Sequence, residues 1–117
     1  MTQPLRASIA RPLPWPRGLF TLVADQPFSS SLEPTHLREA LARAMAEHAP
    51  GVVGLVVHQF EPQGVSLIAL GPALRSVLHS WPEHGRATLD VSAPTAEIGA
   101  RVALRISELL ALELRAE

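Results

Sequence analysis

Two stretches of the chain repeat an apolar residue every four positions. The first stretch follows Pro34 and the second follows Pro94. Their apolar positions are Leu37, Leu41 and Met45 in the first stretch and Ile98, Val102, Ile106 and Leu110 in the second. Residues at this spacing lie on one side of an α-helix, so the pattern predicts two helices that each bury one side. The second helix is expected to carry an ion pair between Glu97 and Arg101.

Five other stretches predict β-strands, because apolar and β-branched residues are concentrated in them and turn residues separate them. They are GLFTLVA from Gly18, VVGLVVHQF from Val52, VSLIAL from Val65, ALRSVLH from Ala73 and RATLDVS from Arg86. The connection EPQG predicts a hairpin, and WPEHG predicts a turn. The predicted order is β-α-β-β-β-β-α, whose short connections favour antiparallel neighbours. The expected fold class is therefore α/β (α+β), a two-layer sandwich with two helices on one face of a mostly antiparallel sheet.

The length and composition predict one folded domain with an N-terminal extension. The chain has 117 residues, of which 47% are hydrophobic, enough for a single core. Residues 1–17 contain RPLPWPR, where alternate prolines favour an extended backbone, and residues 18–117 form the expected domain. The proline-rich arm has two interpretations, a docking peptide or an arm that lies outside the core.

Charge and residue usage exclude several classes of function. The net charge is −1, there is no run of Lys or Arg, and no apolar stretch approaches the ~18 residues that span a bilayer. We therefore expect no nucleic-acid partner, no membrane partner and a cytoplasmic location. The absence of cysteine removes thiolate chemistry. Two helices cover only one face of a sheet, and an apolar second face predicts a homodimer.

A few polar residues are candidates for chemistry. The histidines have no ligand-type spacing, so no metal site is expected. His79 lies beside Trp81 and is either a general acid or base or a structural residue. Glu83 either binds a ligand hydroxyl or is a solvated turn residue, and Ser66 has a structural alternative as a hydroxyl bonded to backbone. Asp90 lies within a predicted strand, where a carboxylate needs solvent or a partner. None of these residues alone decides a reaction.

Three blocks of the sequence resemble the short-chain S-adenosylmethionine decarboxylases of bacteria and archaea, enzymes of spermidine synthesis. The blocks are HQFEPQGVS from His58, HSWPEHG from His79 and ATLDV from Ala87. The family pattern runs approximately H-x-F-x-P-x-G-V-S-G, then E-S-H-x-S-I-H-T-W-P-E-x-G-x-A-x-x-D-x-F-T-C-G, and the spacing is kept from residue 58 to about 95. The resemblance implies self-cleavage at the serine of E-S-H, which leaves a pyruvoyl group. That ketone forms a Schiff base with the substrate and accepts electrons as carbon dioxide leaves.

The chain departs from this pattern where the family's chemistry begins. The E-S-H triplet aligns with ALR, so Leu74 stands in place of the self-cleaving serine. Pro94 stands in place of the cysteine that supplies a proton in the family. By contrast, Ser66 and His79 match residues that assist self-cleavage. Phe60, Trp81 and Glu83 match positions associated with the family's nucleoside pocket.

Because a leucine side chain has no nucleophile, we expect no pyruvoyl cofactor and no decarboxylation by this chain alone. The leading hypothesis is a ligand-binding or regulatory subunit in polyamine metabolism. Its expected partners are an S-adenosylmethionine-like ligand and a second copy or an active paralog. An alternative keeps the enzyme active, as a decarboxylase of S-adenosylmethionine or another amino acid, through Ser76, two residues beyond Leu74. A third hypothesis is a purely structural oligomer.

Overall fold

The protein is an α+β sandwich in which six strands form one antiparallel sheet and two helices cover one of its faces. The computed structural model describes residues 15–49, 51 and 54–117. The elements are β1 (Arg17–Val23), α1 (Pro34–His48), β2 (Gly54–Gln59), β3 (Val65–Leu70), β4 (Arg75–Trp81), β5 (Arg86–Ser92), α2 (Ala96–Leu110) and β6 (Glu113–Ala116), with short 3-10 helices at Ser30–Leu32 and Pro82–His84. The strand order across the sheet is β2-β3-β4-β5-β1-β6. None of the described helices has the length and apolar character needed to span a membrane.

The two helices begin where the sequence signals them, at or just after a proline. Proline occupies the first turn of α1, where a missing N–H costs nothing, and the predicted stripe of Leu37, Leu41 and Met45 is buried. The Thr95 hydroxyl accepts a hydrogen bond from the Ile98 N–H at 3.1 Å and caps α2.

Ion pairs support both helices. The predicted Glu97–Arg101 pair on α2 is present at 2.5 Å. Glu47 on α1 also binds Arg105 on α2 at 2.8 Å, which ties the two helices together. The sequence pattern does not predict this second pair, because its partners lie on different helices.

The strands alternate between a covered face and an open face. In β4, Ser76 and Leu78 are buried against the helices, whereas Val77 and His79 are half-buried on the other side. The hydrophobic core lies between the helices and the covered face, with Leu22, Leu67, Leu78, Leu89, Val91 and Ile106 among its buried side chains.

Several predicted boundaries need correction. The sequence did not predict β6, which pairs with β1 through Leu22 and Leu114. It is only four residues long and two of them are charged, so its pattern resembles a solvated tail. The turn at WPEHG contains the 3-10 helix Pro82–His84, and β4 begins at Arg75 rather than Ala73.

Part of the sequence-based interpretation lies outside the described residues. This applies to residues 1–14 of the predicted N-terminal arm and to the start of the second predicted strand at residues 52–53. It also applies to Pro50, a residue type that would end the first helix. Strand β1 begins at Arg17, the last residue of the predicted arm.

Candidate functional site

Ser66 and His79 form a hydrogen-bonded pair on the open face of the sheet. They are directly opposite each other in the register of β3 and β4. The Ser66 Oγ and the His79 Nδ1 are 2.5 Å apart, and both side chains are half-buried. We call these two residues the serine–histidine pair. Its hydroxyl and imidazole are suited to moving a proton to or from a bound group.

The register that creates this pair is fixed by a buried serine. The Ser80 hydroxyl accepts a hydrogen bond from the Val65 N–H at 3.0 Å, next to the serine–histidine pair. At the preceding turn, Gly64 has φ +102°, which a side chain would strain, and a Cβ there would lie 3.3 Å from the Ser80 carbonyl oxygen. Both contacts favour the observed register of β3 and β4, in which Ser66 lies opposite His79.

Four side-chain rings, one of them that of His79, form a row across the open face. The ring centroids of His58 and Phe60 are 4.5 Å apart, those of Phe60 and His79 are 5.5 Å apart, and those of His79 and Trp81 are 4.3 Å apart. Phe60 and Trp81 are each 43% exposed. Glu83 is exposed in the 3-10 helix that follows Trp81. This row presents a surface on which a flat ligand can stack.

A cavity of about 430 Å³ continues the row beyond Trp81. It is lined by Thr21, Trp81, His84, Arg86 and Thr88. Its volume is within the range of small-molecule pockets. Sequence analysis identified only Trp81 among these residues as a ligand-binding candidate. The others are polar positions on β1, β5 and the 3-10 helix Pro82–His84. They become neighbours only when the sheet forms and places Thr88 opposite both Thr21 and His79.

Asp90 has the partner that its strand position requires. Arg17 on the neighbouring β1 approaches the Asp90 carboxylate at 2.6 Å. The hydrogen bond to Asp90, followed by the attraction of its charge, raises the pKa of the Arg17 guanidinium. This pair joins two strands of the open face, and it leaves no free carboxylate at Asp90 to act on a ligand.

Leu74 lies in the hydrophobic core. Its side chain is 1% exposed and packs with the core cluster beneath the helices. His79 is five residues further along the chain, about 16 Å at the rise of an extended strand, and its side chain is on the open face. The side chain at position 74 supplies no oxygen atom, so it cannot provide the hydroxyl that attacks the preceding carbonyl.

Ser76 is also on the covered face. Its hydroxyl donates a hydrogen bond to the Met45 sulfur at 3.2 Å, and the residue is fully buried. The sheet itself separates this hydroxyl from the serine–histidine pair. Leu74, Ser76 and Leu78 alternate along the chain, and all three side chains are buried.

Leu74 and Pro94, which stand in place of the family's self-cleaving serine and cysteine in the motif resemblance, lie at the same end of the sheet. Leu74 directly precedes Arg75, which pairs with Ser92, and Pro94 is exposed two residues after Ser92. The serine–histidine pair and the aromatic row lie further along the strands and on the open face. Leu74 and Pro94 therefore lie apart from the serine–histidine pair and the aromatic row.

The described part of the chain brings together no group of three or more residues of the metal-ligating types His, Cys, Asp and Glu. Two of the histidines instead bond to main-chain carbonyls. The Nδ1 of His36 lies 2.7 Å from the Ser30 carbonyl oxygen, and the Nδ1 of His48 lies 2.9 Å from that of Ala44. These contacts anchor the two ends of α1.

Most of the folded region matches known proteins. Residues 29–114 match the family model described as S-adenosylmethionine decarboxylase. A curated S-adenosylmethionine decarboxylase proenzyme from Bacillus cytotoxicus is 38% identical over 72 residues, which is 62% of this chain and 49% of that protein. The proenzyme from Prochlorococcus marinus (strain MIT 9313) is 38% identical over 55 residues, 47% of this chain and 44% of that protein. The matches thus span about half the length of these curated relatives.

A solved structure shares the fold. The crystal structure of the adenosylmethionine decarboxylase from Aquifex aeolicus superposes with a TM-score of 0.70 at 20% sequence identity. The match covers 86% of this chain and 85% of that one. At this identity the likeness concerns the arrangement of helices and strands.

Proposed function

This chain belongs to the S-adenosylmethionine decarboxylase family, and we propose that it is a member that does not cleave itself and acts as a ligand-binding or regulatory subunit in polyamine metabolism. The observation that carries the proposal is the buried hydrocarbon at position 74. Self-cleavage needs a hydroxyl that attacks the preceding carbonyl, and Leu74 has none. Its neighbours Ala73 and Arg75 also differ from the glutamate and histidine of the family pattern.

The residues that remain do not replace a covalent electron sink. Enzymes usually lower reaction barriers by at least ~8 kcal/mol. A hydrogen-bonding pair such as Ser66 and His79 holds or moves a proton, but it cannot take up the electron pair that decarboxylation leaves on the α-carbon. We therefore expect binding without turnover when the chain acts alone.

The open face supports a ligand with a flat ring. Phe60, Trp81 and Glu83 match positions associated with the family's nucleoside pocket, and the aromatic row and cavity of the open face contain or adjoin all three. The proposed ligand is S-adenosylmethionine or a molecule like it, held by stacking on the rings and by a hydrogen bond from a ribose hydroxyl to Glu83.

Ligand binding without decarboxylation gives a direct test. Calorimetric titration with S-adenosylmethionine is expected to show binding, and carboxyl-labelled S-adenosylmethionine is expected to release no carbon dioxide above the buffer rate. Trp81→Ala should weaken binding at least tenfold. Trp15→Ala, which removes the chain's other tryptophan outside the aromatic row, should leave binding unchanged. No heat at millimolar ligand would contradict the ligand part of the proposal.

The open face also supports association with a second chain. Leu19, Val56 and Leu70 are large apolar residues that remain exposed on it. Exposed apolar residues on an uncovered sheet face are typical of a protein interface. The Arg17–Asp90 ion pair lies among them, because Asp90 is directly opposite Leu19. The proposed partner is a second copy or an active paralog. The serine–histidine pair lies apart from position 74. The proposal is therefore that Ser66 and His79 of this chain act on a serine that the partner supplies.

Co-purification tests the partner. A tagged chain co-expressed with an active short-chain decarboxylase from the same organism is expected to retain it on an affinity column. Val77→Lys places a charge in the centre of the open face and should abolish retention. Leu104→Lys, on the exposed side of α2, is the matched control and should not. Equal retention by both variants would place the contact elsewhere.

The enzyme alternative through Ser76 has specific structural requirements. Cleavage between Arg75 and Ser76 needs the hydroxyl to reach the preceding carbonyl, while the Ser76 hydroxyl is buried and bonded to Met45. It also requires a general base near it, and the serine–histidine pair is on the other face of the sheet. This arrangement favours an intact chain. We also propose that the protein is located in the cytoplasm, together with its partner enzyme of amine metabolism.

A further inference from the structure

The two edges of the sheet are built differently. Strand β6 is four residues long, and Glu113 and Arg115 on it form an ion pair at 2.9 Å. Strand β2, at the other edge, reads GLVVHQ and contains no charged residue and no proline. Charges and short length are the usual devices that prevent an edge from pairing with another strand. The β6 edge has these devices, and the β2 edge lacks them.

The hydrogen-bonding pattern shows which groups of β2 face outward. At the hairpin the Phe60 N–H donates to the Gly64 carbonyl at 2.8 Å. Bonded pairs alternate along an antiparallel ladder, so His58 and Val56 bond to β3. The residues between them, Leu55, Val57 and Gln59, direct their N–H and C=O groups away from β3. Within the described part of the chain no strand lies on that side of β2.

Two valines of β2 are unusually exposed. Val56 is on the open face and is 55% exposed. Val57 points to the helix side of the sheet and is still 40% exposed, because the helices lie over the more central strands. Both faces of this strand thus present β-branched side chains beside a row of backbone groups that no described strand pairs with.

We propose that the β2 edge pairs with the β2 edge of a second copy of this chain, antiparallel and with Val57 opposite Val57 of that copy. In this register Leu55 of each copy lies opposite Gln59 of the other copy. All three outward residues then exchange backbone bonds, about six in total.

A second copy suits this edge for reasons of charge and symmetry. Two identical uncharged strands meet without like-charge repulsion, and a two-fold axis through Val57 satisfies both copies equally. The axis runs perpendicular to the sheet, so the two sheets join into one continuous sheet and both open faces lie on the same side. This contact is separate from the open-face contact proposed above and does not depend on it.

Single-cysteine crosslinking tests the register, because the chain has no cysteine of its own. Residues in a bonded antiparallel pair have Cα atoms about 5.5 Å apart, which suits a disulfide. Val57→Cys is therefore expected to give a covalent dimer under mild oxidation. Leu104→Cys, on the exposed side of α2, is the control for random collision. Equal yields from the two variants, or no dimer from Val57→Cys, would overturn the proposal.

A proline substitution tests the backbone bonds. Val57→Pro removes an outward N–H without removing a bond to β3, so the fold should persist, as circular dichroism will show. Light scattering is expected to report half the mass of the wild type at the same concentration. Val57→Thr keeps the N–H and should keep the wild-type mass. A wild-type monomer, or a mass unchanged by Val57→Pro, would contradict edge pairing.

Discussion

The two faces of the sheet in this protein carry different kinds of residue, although their residues alternate along the same strands. Towards the helices, β4 presents Ser76 and Leu78, fully buried and packed. Towards the open side, the same strand presents Val77 and His79, with a hydrogen-bonded serine and a row of rings beside them. The covered face holds the fold together, whereas the open face carries the groups suited to binding. Position 74, where the family's chemistry begins, belongs to the covered face here.

The largest expected effect distinguishes a core leucine from an exposed one. Leu74→Ala should lower the free energy of unfolding by about 2–5 kcal/mol, because it leaves a cavity among packed side chains. Leu70→Ala, on the open face, should cost well under half as much, because that side chain is 43% exposed. Urea denaturation of both variants provides the measurement. Equal losses would mean that Leu74 is not a core residue.

A smaller effect should distinguish two serines of the same hairpin. Ser80→Ala leaves the buried Val65 N–H without its partner and should cost about 1–3 kcal/mol of stability. Ser66→Ala removes a half-buried bond to His79 and should cost about 1 kcal/mol or less. Thermal unfolding monitored by circular dichroism ranks the two. The reverse order would show that the serine–histidine pair stabilises the fold more than the buried serine does.

The smallest effect concerns the ion pair between the helices. The hydrogen bond from Arg105 lowers the pKa of Glu47. Desolvation opposes this shift, and the positive charge of Arg105 lowers the pKa further. A carboxylate with a lowered pKa stabilises the folded state above its unfolded pKa, and that stability is lost as the pH falls through the folded pKa. Glu47→Gln should therefore lower the urea midpoint slightly at neutral pH. The difference should vanish in acid.

Glu39→Gln is the matched control for this titration. Glu39 is exposed on the same helix, and the structure gives it no ion pair among the described residues. The midpoint of this variant should follow that of the wild type at every pH. A difference between Glu47→Gln and wild type that persists in acid would mean that the contact is not electrostatic.

Local patterns predicted much of the fold. Strand β5 coincides with the predicted run RATLDVS, because β-branched and apolar residues alternate there between clear turns. The helical stripes are buried as expected, apart from Ile98, which is half-buried in the first turn of α2. Strand β6 was missed because what stabilises it is pairing with β1, more than ninety residues earlier in the chain. No local signal in Glu113–Ala116 reports such a distant contact.

The site was predictable only in part, for a related reason. The motif blocks identified Ser66 and His79 individually, and the hairpin brings them together. The cavity residues Thr21, Arg86 and Thr88 were missed, because polar residues at alternate strand positions are equally typical of a solvated face. That Leu74 and Ser76 lie beneath the sheet, away from the serine–histidine pair, follows from the covering helices and not from spacing in the sequence.

The mass of the purified chain under denaturing conditions tests the central claim most directly. The account predicts a single polypeptide of 12.6 kDa with its own N-terminus, because a leucine at position 74 cannot open the backbone. Two fragments that together make up this mass, with a ketone at the start of the second, would contradict it.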